Sequence, residues 1–424
     1  MRVDCLLGRC APAALLLLVS CGWARTAGPE AGPVGPGAPA ASEVTTVQEA
    51  NVAEAYTQFG FDLFGRVVGD RLEGNHVVSP LSVAIALAMA YNGAAGETRA
   101  AMGRVLHMGP LSLEALTAAT HELVQTLEKA DPNVRLFIAN SLWARTGVPF
   151  HEPFLARVRQ HFEAEIATLD FAAPSAVERI NAWVSEHTNG RITQIVEPPI
   201  DPQMVLYLIN AIYFKGQWTK PFEKEQTRER PFTLLGGAKK PAPMMEQHGK
   251  FDYLRGPNFQ AVSLPYGKQT RFSMYVFLPD AAAGLKEFLG GLNAESWRQW
   301  TGQLRRREGT VALPRFTVEY AATLNDALKA LDMAVAFTPD KADFGAMTPK
   351  EVFISEVKHK TFIEVNEAGT EAAAVTSIGI AATAAMPAEA PFIMIIDRPF
   401  FFAIRDNVSG AVLFMGAIVD PLGK

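Results

Sequence analysis

With 424 residues, 49% of them hydrophobic, the chain is long enough for one large core or two ordinary domains. Its 44 acidic and 39 basic residues leave a net charge of −5, which argues against the basic footprint of a nucleic-acid-binding protein. The three cysteines, Cys5, Cys10 and Cys21, all fall in the first 21 residues, so packing and not disulfides must hold the rest of the chain.

Arg2 and Arg9 precede an apolar run from Ala11 to Val19 that is too short to span a bilayer and reads as a secretory leader. Leu18 to Cys21 resembles the lipobox of bacterial lipoproteins, in which the cysteine is lipidated and becomes the new N-terminus. With or without that lipid, residues 1–21 leave the fold. The protein is then expected outside the cytoplasm, either secreted or held at the outer membrane or cell surface through Cys21. Residues 22–46, rich in Gly, Pro and Ala, suit a flexible tether, and the folded domain is expected over 47–424.

Within that domain Val52, Tyr56, Phe59, Leu63 and Val67 recur at helical spacing and predict an amphipathic surface helix over 47–68. Ser79 is a good N-cap for a second helix and Pro80 suits its first position. The run to Ala90 is apolar all round, which belongs to a helix in the middle of a protein. Residues 136–142 read as a strand followed by Trp143, and 178–189 as a helix. Residues 206–218 read as an apolar strand, a turn at Gly216 and then Trp218. Met244 to Glu246, Leu264 to Tyr266 and Phe272 to Pro279 continue as strands. Arg305 to Arg307 reads most simply as a solvated loop, with a polyanion site as the lesser alternative.

No catalytic constellation stands out. The chain lacks a Gly-x-Ser-x-Gly elbow, a His-Glu-x-x-His pair, a cysteine pair in its body and a phosphate-cradling glycine loop. His359, alone in an apolar strand, reads as a satisfied core residue before it reads as a ligand or base.

The informative stretch runs from Glu367 to Pro399. With a period of two, Thr370, Ala372, Ala374, Thr376, Ile378 and Ile380 fall on one face, and Glu371, Ala373, Val375, Ser377 and Gly379 on the other. The first face carries no charge and its leading half is small, so it can slide under a packed layer without a desolvation penalty. Small side chains also leave the segment weakly committed to any local structure. It is a strand able to exist outside a sheet and later inside one.

This pattern with its flanks resembles the serpin family. The stretch from Val357 to Ala374 is similar to the family's strand and hinge. Asp397 to Asp406 and Val412 to Pro421 are similar to its C-terminal signature. Asn75 to Ala84, Ile180 to Val184 with Thr188 to Ile192, Leu206 to Trp218 and Leu313 to Phe316 match it upstream. The resemblance implies an α+β serpin fold with three β-sheets, eight or nine helices and an exposed reactive-centre loop over about 367–392. Glu367, Gly369, Thr370, Glu371, Ala372, Ala373, Ala374 and Val375 would form the hinge. Trp218, Arg315 and Glu367 would sit where the loop first enters the central sheet. Ser79, Ser82, Asn210 and His359 would hold its central strands shut. Two departures stand out: Asp332 replaces a common glycine, and the loop is longer than typical.

The function implied is that of a suicide inhibitor of serine proteases, a monomer acting through a covalent one-to-one complex and without a cofactor or metal. Its membrane contact would be limited to the lipid. The family's usual register places the reactive bond at Thr383–Ala384, with Ala382 and Ala385 left open by the extra loop length. These small residues suggest elastase-like or subtilisin-like targets. A non-inhibitory serpin-fold binding protein and an unrecognised hydrolase are the alternative readings.

Overall fold

Two hydrogen-bonded sheets and nine α-helices make up the described residues of this computed structural model, 41–69, 72–201, 203–370 and 390–423. Cys21, hinge residues Glu371, Ala372, Ala373, Ala374 and Val375, and the expected reactive bond Thr383–Ala384 lie outside them.

The first helix, Ala41–Val68, begins inside the stretch read as a tether. Its periodic residues Val52, Tyr56, Phe59 and Leu63 are buried as their spacing predicts. At Gly60 a side chain would meet Pro80, since a Cβ there would lie 2.3 Å from the Pro80 Cβ. That close approach sets the helix on the start of its neighbour, Pro80–Tyr91. Ser79 caps the second helix as expected, its Oγ accepting the Ser82 N–H at 3.3 Å, and Pro80 takes the first position. Every residue from Pro80 to Ala90 is buried, because the helix lies between the Val412–Ile418 strand of one sheet and the Leu206–Gln217 strand of the other.

The six-stranded sheet runs in the order Phe316–Thr323, Ile354–Asn366, Gly369–Thr370, Leu206–Gln217, Val134–Arg145, Glu165–Leu169. Leu208, Ile212 and Phe214 join the main core, while Tyr207, Ile209 and Ala211 pack with Ile180, Trp183 and Val184 of the helix Pro174–His187. A strand covered on both faces carries apolar residues continuously, which is why 206–214 shows no alternation. Gly216 makes no turn. It stays extended between Val134 and Thr370, and the strand continues to Gln217.

The nine-stranded sheet holds the rest, including His76–Val78, Phe259–Tyr266, Phe272–Pro279 and Phe392–Ile395. The three expected sheets form two networks because the 17-residue strand Lys239–Arg255 pairs along its length with several partners. Arg305 to Arg307 is not a loop. It opens the strand Arg305–Pro314, opposite Phe251 to Tyr253. Asp332, which stands where the family commonly has glycine, has φ 70°, the left-handed region that favours glycine. Replacing it should therefore relieve about 1 kcal/mol of backbone cost, partly offset by glycine's greater freedom when unfolded. The Asp332→Gly protein is expected to unfold at a slightly higher denaturant concentration than the parent in a urea titration.

Candidate functional site

The site is a seam in the six-stranded sheet. Strands Leu206–Gln217 and Ile354–Asn366 run parallel and pair directly from Ile354 opposite Leu206 to Phe362 opposite Tyr213. Beyond that point they are held apart by Gly369–Thr370. Thr370 pairs with Val365 on one side and Gly216 on the other, and Gly369 with Asn366 and Gln217. The chain has reversed at Glu367 and Ala368, so the inserted pair is antiparallel to both neighbours. Gly369 is required there: its φ is +149°, and a Cβ would come within 2.0 Å of the Gly216 carbonyl oxygen. Thr370 is buried, and its hydroxyl meets that of Tyr266 at 2.8 Å.

Around the reversal the three residues expected at the sheet's top come together. The Trp218 indole N–H donates to the Asn366 carbonyl at 2.9 Å, and its ring stacks on Tyr266 at 4.3 Å. The Trp218 backbone N–H donates to Ala368 O, and that of Phe222 to Glu367 O. The Glu367 carboxylate accepts from the Thr227 hydroxyl at 2.7 Å and from the Arg315 guanidinium. Its side chain is only 6% exposed, whereas that of Arg315 is 47% exposed. The pair is therefore a buried anion held by a half-exposed cation and not two solvated charges. Burial pushes the Glu367 carboxyl up, but hydrogen bonds from Thr227, its own backbone and Arg315 together hold it below the usual carboxylate range. Thr227 could not be anticipated, because it lies in a polar stretch with no periodicity of its own.

Lower on the seam, where the strands touch, lies the polar cluster. Asn210 Nδ2 donates to Ser82 Oγ and, at 2.6 Å, to Asn140 Oδ1. Its Oδ1 accepts from His359 Nδ1 at 2.6 Å, and His359 Nε2 accepts the Ser79 backbone N–H at 3.1 Å. An imidazole that donates through one nitrogen and accepts through the other is neutral. Full burial accounts for this, pushing the His359 pKa from 6.5 down to about 3. The four residues expected to meet here, Ser79, Ser82, Asn210 and His359, are thus in one hydrogen-bonded chain across the seam. Asn140 is an added member; its only signal was an amide beside Ser141 in the middle of a mostly apolar strand. Among the described residues no cluster of three or more His, Cys, Asp or Glu side chains could hold a metal ion.

The neutral His359 ties stability to pH. Its folded-state pKa lies below its unfolded value, so the unfolded chain takes up the proton first as pH falls. The native state should keep this stability above about pH 6.5 and lose up to about 1.4 kcal/mol per pH unit on the way down towards pH 3. Thermal denaturation between pH 7 and pH 4.5 should show a shallower loss for His359→Gln than for the parent.

The comparisons with known proteins agree on one family. The family described as Serpin (serine protease inhibitor) matches residues 54–421. A leukocyte elastase inhibitor of Xenopus tropicalis is 36% identical over 386 residues, covering 88% of this chain and 100% of its own length. An uncharacterized serpin-like protein of Thermococcus kodakarensis is also 36% identical, over 88% of this chain and 87% of its own. The crystal structure of the thermophilic serpin tengpin in its native state superposes with a TM-score of 0.77 at 32% identity, covering 92% of this chain and 97% of that one. The seam, its inserted pair and the cluster beneath them thus belong to a chain that is a member of the serpin family.

Proposed function

We propose that the protein is a suicide-substrate inhibitor of serine endopeptidases and not a catalyst. The observation that carries this reading is the Gly369–Thr370 pair, seated between strands 206–217 and 354–366 at the upper end of their seam. A protease that cuts the loop downstream would free the chain to continue the insertion these two residues begin. Its serine Oγ attacks the carbonyl carbon of Thr383. The bond to Ala384 breaks, and the new amine leaves with a proton from the protease's general acid. The protease is left esterified to the departing loop end.

The paired register predicts what insertion meets. Thr370 lies level with Gly216 and Val365, so each further residue descends one step along both strands and residue 376 arrives level with Asn210 and His359. Entry therefore breaks the Asn210–His359 hydrogen bond. It replaces one parallel row of ladder bonds with two antiparallel rows, which are slightly more stable per residue. Each bond added contributes about 1 kcal/mol net. The residues that would face inward, Thr370, Ala372, Ala374 and Thr376, carry no charge and no large side chain.

Small residues at and around Thr383, including Ala382 and Ala385, favour elastase-like or subtilisin-like targets, and the leukocyte elastase inhibitor relatives support the first. The absence of Lys and Arg from residues 371–396 disfavours a trypsin-like one. In the same reading the protein is a monomer that meets its target outside the cytoplasm, exported by residues 1–21 and anchored through Cys21.

Incubation with pancreatic-type elastase and with subtilisin should yield a covalent complex that survives SDS, together with a peptide beginning near Ala384. Thr370→Arg should slow insertion and lower the yield of complex by roughly tenfold, equivalent to about 1.4 kcal/mol, while cleavage continues. Clean cleavage without complex for every protease tried would overturn the reading in favour of a binding protein.

A further inference from the structure

We propose that this protein binds an amphiphilic carboxylate, an apolar chain with one anionic head, in the groove between the outer face of strand Phe316–Thr323 and the C-terminal residues. The groove has a volume of about 680 Å³ and is lined by Pro243, Arg315, Thr317, Ala321, Phe362 and Leu422, among others. That volume lies within the range of small-molecule sites, about 300–1,000 Å³. From Arg315 to Ala321 it extends about 20 Å at ~3.4 Å per residue, long enough for an extended acyl chain. Pro243, Phe362 and the 44% exposed Leu422 give it apolar walls. The groove's one acid, Glu319, is already matched by Lys360.

The head group is specified by Arg315. A guanidinium offers five N–H donors in a planar fork that matches a carboxylate. Among the described residues, the Arg315 side chain makes one hydrogen bond, to Glu367, and it remains 47% exposed where it lines the groove. One edge thus holds the buried Glu367, and the remaining donors can take a second carboxylate. A neutral or cationic head would forgo these charge-assisted bonds. Because ligand and Glu367 share one cation, each should weaken the other's hold on it by the same factor. The proposal does not depend on the inhibitory reading, since the ligand is bound by the intact, uncleaved chain.

Calorimetric titration of the full chain with dodecanoate, dodecanol and dodecyltrimethylammonium tests it. Expected is one-to-one binding of dodecanoate, weaker by about tenfold for the alcohol and absent for the cation. Arg315→Gln should lower the dodecanoate affinity by about tenfold and leave dodecanol unchanged, whereas Ala321→Trp should fill the groove and weaken both. Glu367→Gln, which frees Arg315, should tighten dodecanoate. Equal binding of all three heads would overturn the proposal, as would parental binding by both Arg315→Gln and Ala321→Trp. Circular dichroism verifies each variant's fold, and should Arg315→Gln not fold, the head-group series and Ala321→Trp decide the matter.

Discussion

The contact between Asn210 and His359 is the constraint on which the rest of this structure depends. It ties two parallel strands at a level where both faces of the sheet are covered, so neither side chain can turn to water when the bond is lost. Buried polar groups without partners carry a desolvation penalty of about 1–3 kcal/mol. The cluster meets that requirement through Ser79, Ser82 and Asn140, each fixed by an element packed for other reasons. Ser79 serves twice. Its hydroxyl caps the buried helix, and its backbone N–H, which that helix leaves unpaired, reaches the imidazole.

The upper seam solves a different problem. Two strands that diverge expose unpaired N–H and C=O groups, and a sheet interior cannot leave them empty. Gly369 and Thr370 satisfy them from both sides, at a point so narrow that only a glycine fits against the Gly216 carbonyl. Glu367 holds the reversal in place. Its carboxylate is buried, yet ionised, because Thr227 and Arg315 replace the water it has lost.

These two arrangements give the seam opposite characters at its ends. At the top the strands are already apart and a short third strand, Gly369–Thr370, is seated between them. Lower down they are joined by ladder bonds and by a satisfied polar network. A sheet built in this way has a defined direction of opening. Lengthening the inserted strand extends pairing that exists, whereas opening from the lower end would begin by breaking pairs with nothing to replace them. The proposed inhibitory mechanism uses that asymmetry.

Much of this was legible in the amino-acid order, and the reason is local. Ser79 and Pro80 cap whatever helix follows them, and the spacing of Val52 to Leu63 declares the buried face of the helix before it. Such preferences are short-ranged and need no partner. The resemblance to known serpins then added which distant residues meet. Other features were decided only by tertiary structure. Gly216 reads as a turn but is held extended by strands on both sides, and Arg305 to Arg307 reads as a loop but pairs with Phe251 to Tyr253. Asp332 sits at positive φ, Asn140 and Thr227 enter networks that no spacing reveals, and Glu367 proves buried. In each case the outcome rests on a neighbour far away in the chain, whose hydrogen bonds and covering side chains override local preference. Sequence by itself determined where the capped helix and the continuous apolar strand lie, because those preferences are local, and tertiary packing alone decided which polar groups lose water and must find one another.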